Sequence, residues 1–207
     1  MNSITVFAFA IMIGLLTALA VPSARADDGG TSPGFFSRES HRIGLTYTDF
    51  SGDTGNSLSG GSGYGLEAGI SRGNSFLQIL TNVGLGYSNG QAEFVDSATK
   101  LNLDYKLLYA NAALGLRIDP VMTRSGGFGI YFGASGTVGM VQLTLPDHAY
   151  SKLQSSQTSL ALGYDLFAGL ELTRLYVQAA LRTAQAKIGG TSNFQLGGLV
   201  IQGGLTW

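Results

Sequence analysis

Along most of this chain the apolar residues recur at every second position, and a period of two builds strands with two different faces rather than helices. Leu77, Ile79, Thr81, Val83, Leu85 and Tyr87 share one face, with Phe76, Gln78, Leu80, Asn82, Gly84 and Gly86 on the other. Leu160, Leu162, Tyr164, Leu166, Ala168, Leu170 and Leu172 form a second apolar row, opposite Ser159, Ala161, Gly163, Asp165, Phe167, Gly169 and Glu171. Eight such runs can be drawn: His41–Phe50, Gly63–Arg72, Ser75–Ser88, Lys100–Ile118, Gly127–Leu145, Ser156–Thr173, Arg174–Ile188 and Phe194–Trp207. Their connections alternate in length. Gly73-Asn74 and Thr173-Arg174 are tight, and Asp119 to Gly126 is somewhat longer. Ser51–Ser62, Asn89–Thr99, Pro146–Ser155 and Gly189–Asn193 are longer or more polar. That rhythm describes an up-and-down antiparallel meander with both termini at the short-turn end.

The second face decides what surrounds the strands. In a soluble sandwich it would meet water and carry many Lys, Glu and Thr. Here charged residues are 12% of the chain, and Gly, Ala and Ser dominate that face. Small residues suit the narrow interior of a closed eight-stranded barrel, and closure leaves no unpaired edge in lipid. The fold expected is all-β, an eight-stranded antiparallel up-and-down transmembrane β-barrel over residues 41–207. Tyr64, Leu66, Leu77, Val83, Leu162, Leu166, Leu199 and Ile201 are expected to face lipid. In the fourth run, Leu101, Leu103, Tyr105, Leu107 and Tyr109 share a face, whereas Ala112, Leu114, Leu116 and Ile118 have the opposite parity. A β-bulge near Tyr109 and Ala110 would reconcile them, and so would a change of environment above the membrane.

Residues 1–26 read as a cleaved signal peptide. Val6 to Val21 is apolar apart from Gly14 and Thr17, and Ala24-Arg25-Ala26 is a small-residue cleavage site, although no Lys or Arg stands in Met1 to Phe7. Residues 27–40, rich in Gly, Pro and Ser, read as a flexible periplasmic lead-in. The chain has no cysteine, which excludes a disulfide framework, a thiolate metal site and a catalytic thiol. A net charge of -1 offers nucleic acid no basic surface.

No set of residues has the makings of an active site. His41 and His148 should lie a barrel's height apart. The run Asp147-His148-Ala149-Tyr150-Ser151 contains the residue types of a hydrolytic triad but sits in a loop, where fixed geometry is hard to hold. Gly63-Tyr64-Gly65 and Gly127-Phe128-Gly129 are followed by no helix, so they are not dinucleotide fingerprints. No metal or cofactor is expected. The ionisable set Arg42, Glu67, Asp104, Lys106, Asp165, Glu171 and Arg182 is expected to pair inside the lumen as a plug, since buried charge needs a partner.

The last strand ends on a pattern of its own. Leu199, Ile201, Gly203, Leu205 and Trp207 share one face, and Trp207 is the final residue. This resembles the C-terminal assembly signal of bacterial outer-membrane proteins, in which Phe is the commoner last residue. With the leader and the meander, residues 40–207 resemble the small eight-stranded OmpA/OmpX-like barrels. The resemblance implies Sec-type export to the outer membrane of a Gram-negative bacterium. It also implies periplasmic chaperones and the barrel-assembly machinery as partners in biogenesis, with Leu199, Ile201, Leu205 and Trp207 as the recognised residues. Outer-membrane lipid and lipopolysaccharide would be the surroundings. The role expected is structural or surface-interacting and not enzymatic. A narrow pore is the alternative, and a lipid A-modifying enzyme is a lesser one, because a deacylase's His and Ser are not found on one strand.

Overall fold

A computed structural model describes residues 38–50, 61–96, 99–122, 127–145, 156–188 and 191–207. These form nine strands: β1 (Arg38–Phe50), β2 (Ser62–Gly73), β3 (Leu77–Asp96), β4 (Thr99–Met122), β5 (Phe128–Thr144), β6 (Ser156–Leu172), β7 (Leu175–Ile188), β8 (Thr191–Gln195) and β9 (Gly198–Thr206). Each strand from β1 to β7 pairs antiparallel with the next, and β9 pairs with both β7 and β1, so the sheet closes. The result is an eight-stranded antiparallel barrel whose eighth position is shared by β8 and β9, with no helix among the described residues. The segment Gly189–Asn193, which the sequence presents as a connection, belongs in part to β8.

The seam between first and last strands is drawn tight at its lower end. His41 N–H donates to the Trp207 carbonyl at 2.8 Å, and Trp207 N–H donates back at 3.0 Å. Turns at this end are short. Asn74 Oδ1 accepts from the backbone N–H of Phe76 and Leu77, which caps the β2–β3 turn. The β6–β7 hairpin turns on Thr173, whose φ of 56° is unusual for a β-branched residue.

At the other end β3 and β4 run past their neighbours. Register with β2 stops at Ser62↔Asn89, and register with β5 stops at Lys106↔Thr144. Beyond those points, among the described residues, β3 and β4 pair only with each other, out to Asp96↔Thr99. The stretch Asn89–Thr99 is therefore mostly ladder and not the loop its polar composition suggests.

The bulge expected near Tyr109 and Ala110 is absent, since β4 keeps unbroken register with β5 from Lys106 to Ile118. The register shifts lower down, between Ile118 and Val121. Pro120 lies in that gap and has no N–H to give to a ladder, and Asp119 N–H instead reaches the Phe76 carbonyl at 2.8 Å. What changes along β4 is the environment. Leu108, Leu114 and Leu116 point outward and are exposed, while Tyr105 and Leu107 point inward and are each 1% exposed.

The eight residues expected on the outer face all lie there, exposed or half-exposed. They belong to a continuous apolar belt that includes Leu45, 71% exposed, and Leu181, 63% exposed. No outward position from Leu77 to Tyr87 on β3, or from Leu160 to Leu172 on β6, carries a charge. Leu77 to Tyr87 spans about 33 Å along the strand, or about 25 Å of height at a tilt of about 40°. Three tyrosines edge the top of the belt in direct cross-strand register, Tyr47↔Tyr64 and Tyr64↔Tyr87. Above it the outward residues turn polar, as at Asp104, Lys106, Gln142 and Thr158.

Candidate functional site

The interior is layered. At the short-turn end Arg117, 2% exposed, sits among acceptors. Its Nη1 donates to Glu171 Oε1, and its Nε donates to Asp119 Oδ1 at 2.8 Å. The guanidinium carbon lies 3.9 Å from the Tyr131 ring centroid, and Gln78 Nε2 donates to the other Asp119 oxygen. Around the wall, Arg42 donates to Gln178 Oε1 at 3.1 Å and to Glu67 Oε1 at 3.5 Å, and Gln178 passes a bond on to Gln202 at 3.3 Å. Farther up, Arg182 grips Asp165 with two bonds of 2.9 and 2.8 Å, the fork geometry that makes Arg–carboxylate pairs strong.

Five of the seven ionisable residues expected in the lumen thus lie inside: Arg42, Glu67, Asp165, Glu171 and Arg182. Asp104 and Lys106 do not. They stand exposed on the outer face above the belt, where Gln91 Nε2 donates to Asp104 at 3.3 Å. The reason is the unbroken parity of β4, which sends Tyr105 and Leu107 inward in their place. Two further charges, Arg117 and Asp119, join the interior set. Arg117 alternates with Leu116 and Ile118, so its inward position is readable in the sequence. Asp119 is hidden there because Pro120 suggests that a turn has already begun.

The upper layer is apolar. Phe50, Tyr105, Leu107, Val141, Leu143, Leu145, Ala161, Ala186 and Leu196 form one buried cluster inside the barrel mouth. At its edge the hydroxyls of Tyr105 and Ser88 meet at 3.0 Å. Against this cluster lies a mostly apolar cavity of ≈ 50 Å³ bordered by Phe50, Leu107, Tyr109, Val141, Arg182 and Leu196, among others.

Glycine lets this interior close. A Cβ on Gly86 would overlap the Tyr109 ring, and one on Gly44 would overlap the Tyr176 hydroxyl. The Tyr109 ring reaches over the adjoining strand, and the Tyr176 ring reaches across β9 to β1, so each occupies space that a side chain there would need. The abundance of glycine, 31 residues in the chain, thus answers partly to large rings folded into a narrow bore.

His41 points outward at the lower rim. Its ring stacks on Trp207 at 5.9 Å and 16°, and its Nε2 lies 3.0 Å from Glu39, which also pairs with Arg72 at 2.8 Å. His148 and the run Asp147–Ser151 lie outside the described residues, as do the signal peptide and most of the lead-in. Among the described residues no three His, Asp or Glu stand close enough to hold a metal ion. The interior carboxylates are engaged by arginine and glutamine, an arrangement that neutralises buried charge.

By sequence the chain matches no protein-family profile and no curated protein. By structure it is similar to Neisserial surface protein A, with a TM-score of 0.44 and 15% identity over 81% of this chain and 92% of that one. It is also similar to Ail, the attachment invasion locus protein of Yersinia pestis, with a TM-score of 0.40 and 11% identity over 82% and 97%. A second structure of Ail, in complex with the heparin analogue sucrose octasulfate, gives 0.43 and 12% over the same shares.

Proposed function

We propose that this chain is an integral outer-membrane barrel of a Gram-negative bacterium that displays the β3–β4 hairpin for surface interaction and conducts nothing through its filled lumen. One observation carries the reading: a closed barrel wrapped in an uncharged apolar belt about 25 Å tall, the height of the band on outer-membrane barrels. Water would not tolerate so large a continuous apolar surface on a monomer. Short turns and both ends of the barrel then face the periplasm, and β3 and β4 rise on the outer side. There the two strands offer backbone edges that no neighbour among the described residues covers. The paired interior charges and the apolar cluster support a plug and a non-enzymatic role.

The same reading assigns residues 1–26 to an exported leader, residues 27–40 to a periplasmic lead-in, and Leu199, Ile201, Leu205 and Trp207 to recognition by the assembly machinery. Chaperones would escort the chain across the periplasm, and lipopolysaccharide would surround the outer half of the belt. The decisive measurement is planar-bilayer conductance of the purified, inserted barrel. A silent bilayer is expected. Reproducible single-channel steps would replace the plugged barrel with a narrow pore. A change in lipid A mass on expression would point instead to a lipid-modifying enzyme.

A further inference from the structure

The outer wall of the barrel is not smooth. Register places Phe132, Ala168 and Ala179 side by side in one outward row, and Ala134, Leu166 and Leu181 in the next. Successive outward rows stand about 6.8 Å apart along the strands. Between these two rows the strands contribute Gly133, Phe167 and Ala180, which face the lumen. With alanine at three of those six wall positions, the gap widens into a groove of ≈ 560 Å³ lined by no polar side chain. It runs from Leu77 on β3 to Leu199 on β9. That path crosses from β3 through β4, β5, β6 and β7 to β9, or about 24 Å at about 4.8 Å for each step.

The groove is continuous with the apolar belt, and its shape selects among apolar occupants. It wraps a convex wall. A second barrel, itself convex, would meet it along a line, a poor way to bury the ~800 Å² per partner of a stable interface. A hydrocarbon chain can follow the curve. With strands tilted by about 40°, a path across them climbs about 15 Å over that length. That is the depth of one leaflet, half of a hydrocarbon core about 30 Å thick. The low end is Leu77, the first residue of β3, at the short-turn end. The high end is Leu199, the register partner of Asp49 near the top of β1.

We infer that the groove seats one acyl chain of a periplasmic-leaflet phospholipid, which enters at Leu77 and lies across the strands toward Leu199. A chain held there touches walls and floor along its length, whereas a chain against a flush surface is touched on one side only. In lipid every neighbour is equally apolar, so close packing of this kind is what prefers one over another.

The inference rests on the membrane reading, so insertion is scored separately by protease protection. The full chain is folded into vesicles of phosphatidylethanolamine and phosphatidylglycerol that contain a phospholipid with a diazirine on its acyl chain. After irradiation, mass spectrometry of peptides is expected to find label on outward residues of β5, β6 and β7 about fivefold above β1 and β2. Label spread evenly around the belt overturns the inference. The variant Ala134→Leu, Ala168→Leu, Ala179→Leu fills the groove and should bring β5–β7 down to the level of β1 and β2. Ala68→Leu, on the outward face of β2, should change nothing. Undiminished label in the filled variant overturns the inference, and if that variant does not fold, the wild-type map decides alone. Adding lipid A to the vesicles should leave the pattern as it is. Displacement of the label would put an outer-leaflet chain in the groove and overturn the assignment. Barrel-to-barrel cross-links that the filled variant abolishes would give the groove to a second copy, with the same consequence. A chain that fails to insert counts against the membrane reading. The labelling is then repeated on the barrel folded in detergent micelles carrying the same phospholipid, where uneven label supports the groove and even label overturns it.

Discussion

Gly86 and Gly136 separate two uses of the same residue. Gly86 lies under the Tyr109 ring, so Gly86→Ala must push that ring into a packed bore. We expect a loss of about 1–3 kcal/mol in urea unfolding from lipid vesicles, in the range of other overpacking changes. Gly136 faces outward, a Cβ there would meet nothing within 4 Å, and Gly136→Ala should leave the midpoint unchanged. Thr173 shows the reverse case. Its φ of 56° strains a β-branched side chain, and Thr173→Asn should raise stability by about 1 kcal/mol without altering the turn. Arg117 is the most consequential side chain of the lower layer. Arg117→Leu strands Glu171 and Asp119 as buried charges and should cost about 3–5 kcal/mol, read from the same urea midpoints. If that variant unfolds at the wild-type midpoint, the lower layer is not a structural plug.

At the scale of strands, the belt and the hairpin can each be tested alone. Leu166 faces outward at mid-belt, whereas Thr158, on the same face of the same strand, lies above it. Leu166→Arg should lower folding yield in liposomes by about 2–4 kcal/mol equivalent, and Thr158→Arg should be nearly silent. Equal tolerance at both would count against the membrane assignment. Gly90 and Tyr105 are register partners, so replacing 91–104 with a two-residue Asn-Gly turn should shorten the hairpin and leave the barrel folded. Strand existence and facing are legible in the sequence because period two survives along nearly every run. The inward face of β4 is not. An apolar row that changes parity fits either a bulge or a change of surroundings, and the pattern is the same for both. The long hairpin is masked by glycine and polar residues, which look like a loop when the far partner strand is not known. In the lumen, Arg42, Glu67, Asp165, Glu171 and Arg182 are readable by parity with their apolar neighbours, whereas Asp119 lies beyond the apparent end of its run.

At the scale of the whole molecule, the barrel is closed by the pairing of its first strand with its last. Because His41 and Trp207 exchange backbone bonds, deleting Trp207 would remove the last bonded pair of the seam as well as a side chain. Trp207→Ala keeps the ladder and removes only the ring that stacks on His41. If that ring is part of the assembly signal, refolding into vesicles should survive while assembly in cells fails and unfolded protein collects in the periplasm. Matched losses in both settings would leave Trp207 as an interfacial anchor alone.

The ladder of β4, unbroken from Lys106 to Ile118, has a consequence for how deep such a barrel would sit. Over that stretch the register does not change, and only the side chains on its two faces exchange character, between Leu108 and Lys106 on the outside and between Tyr109 and Asn111 within. The waterline is therefore written in side chains on a scaffold that is indifferent to it. A lineage whose membrane thickened could raise that line by replacing Lys106 and its neighbours with apolar residues, one rung at a time, with no insertion, no new turn and no change in strand pairing. Draught, in such a hull, is adjustable without touching the keel.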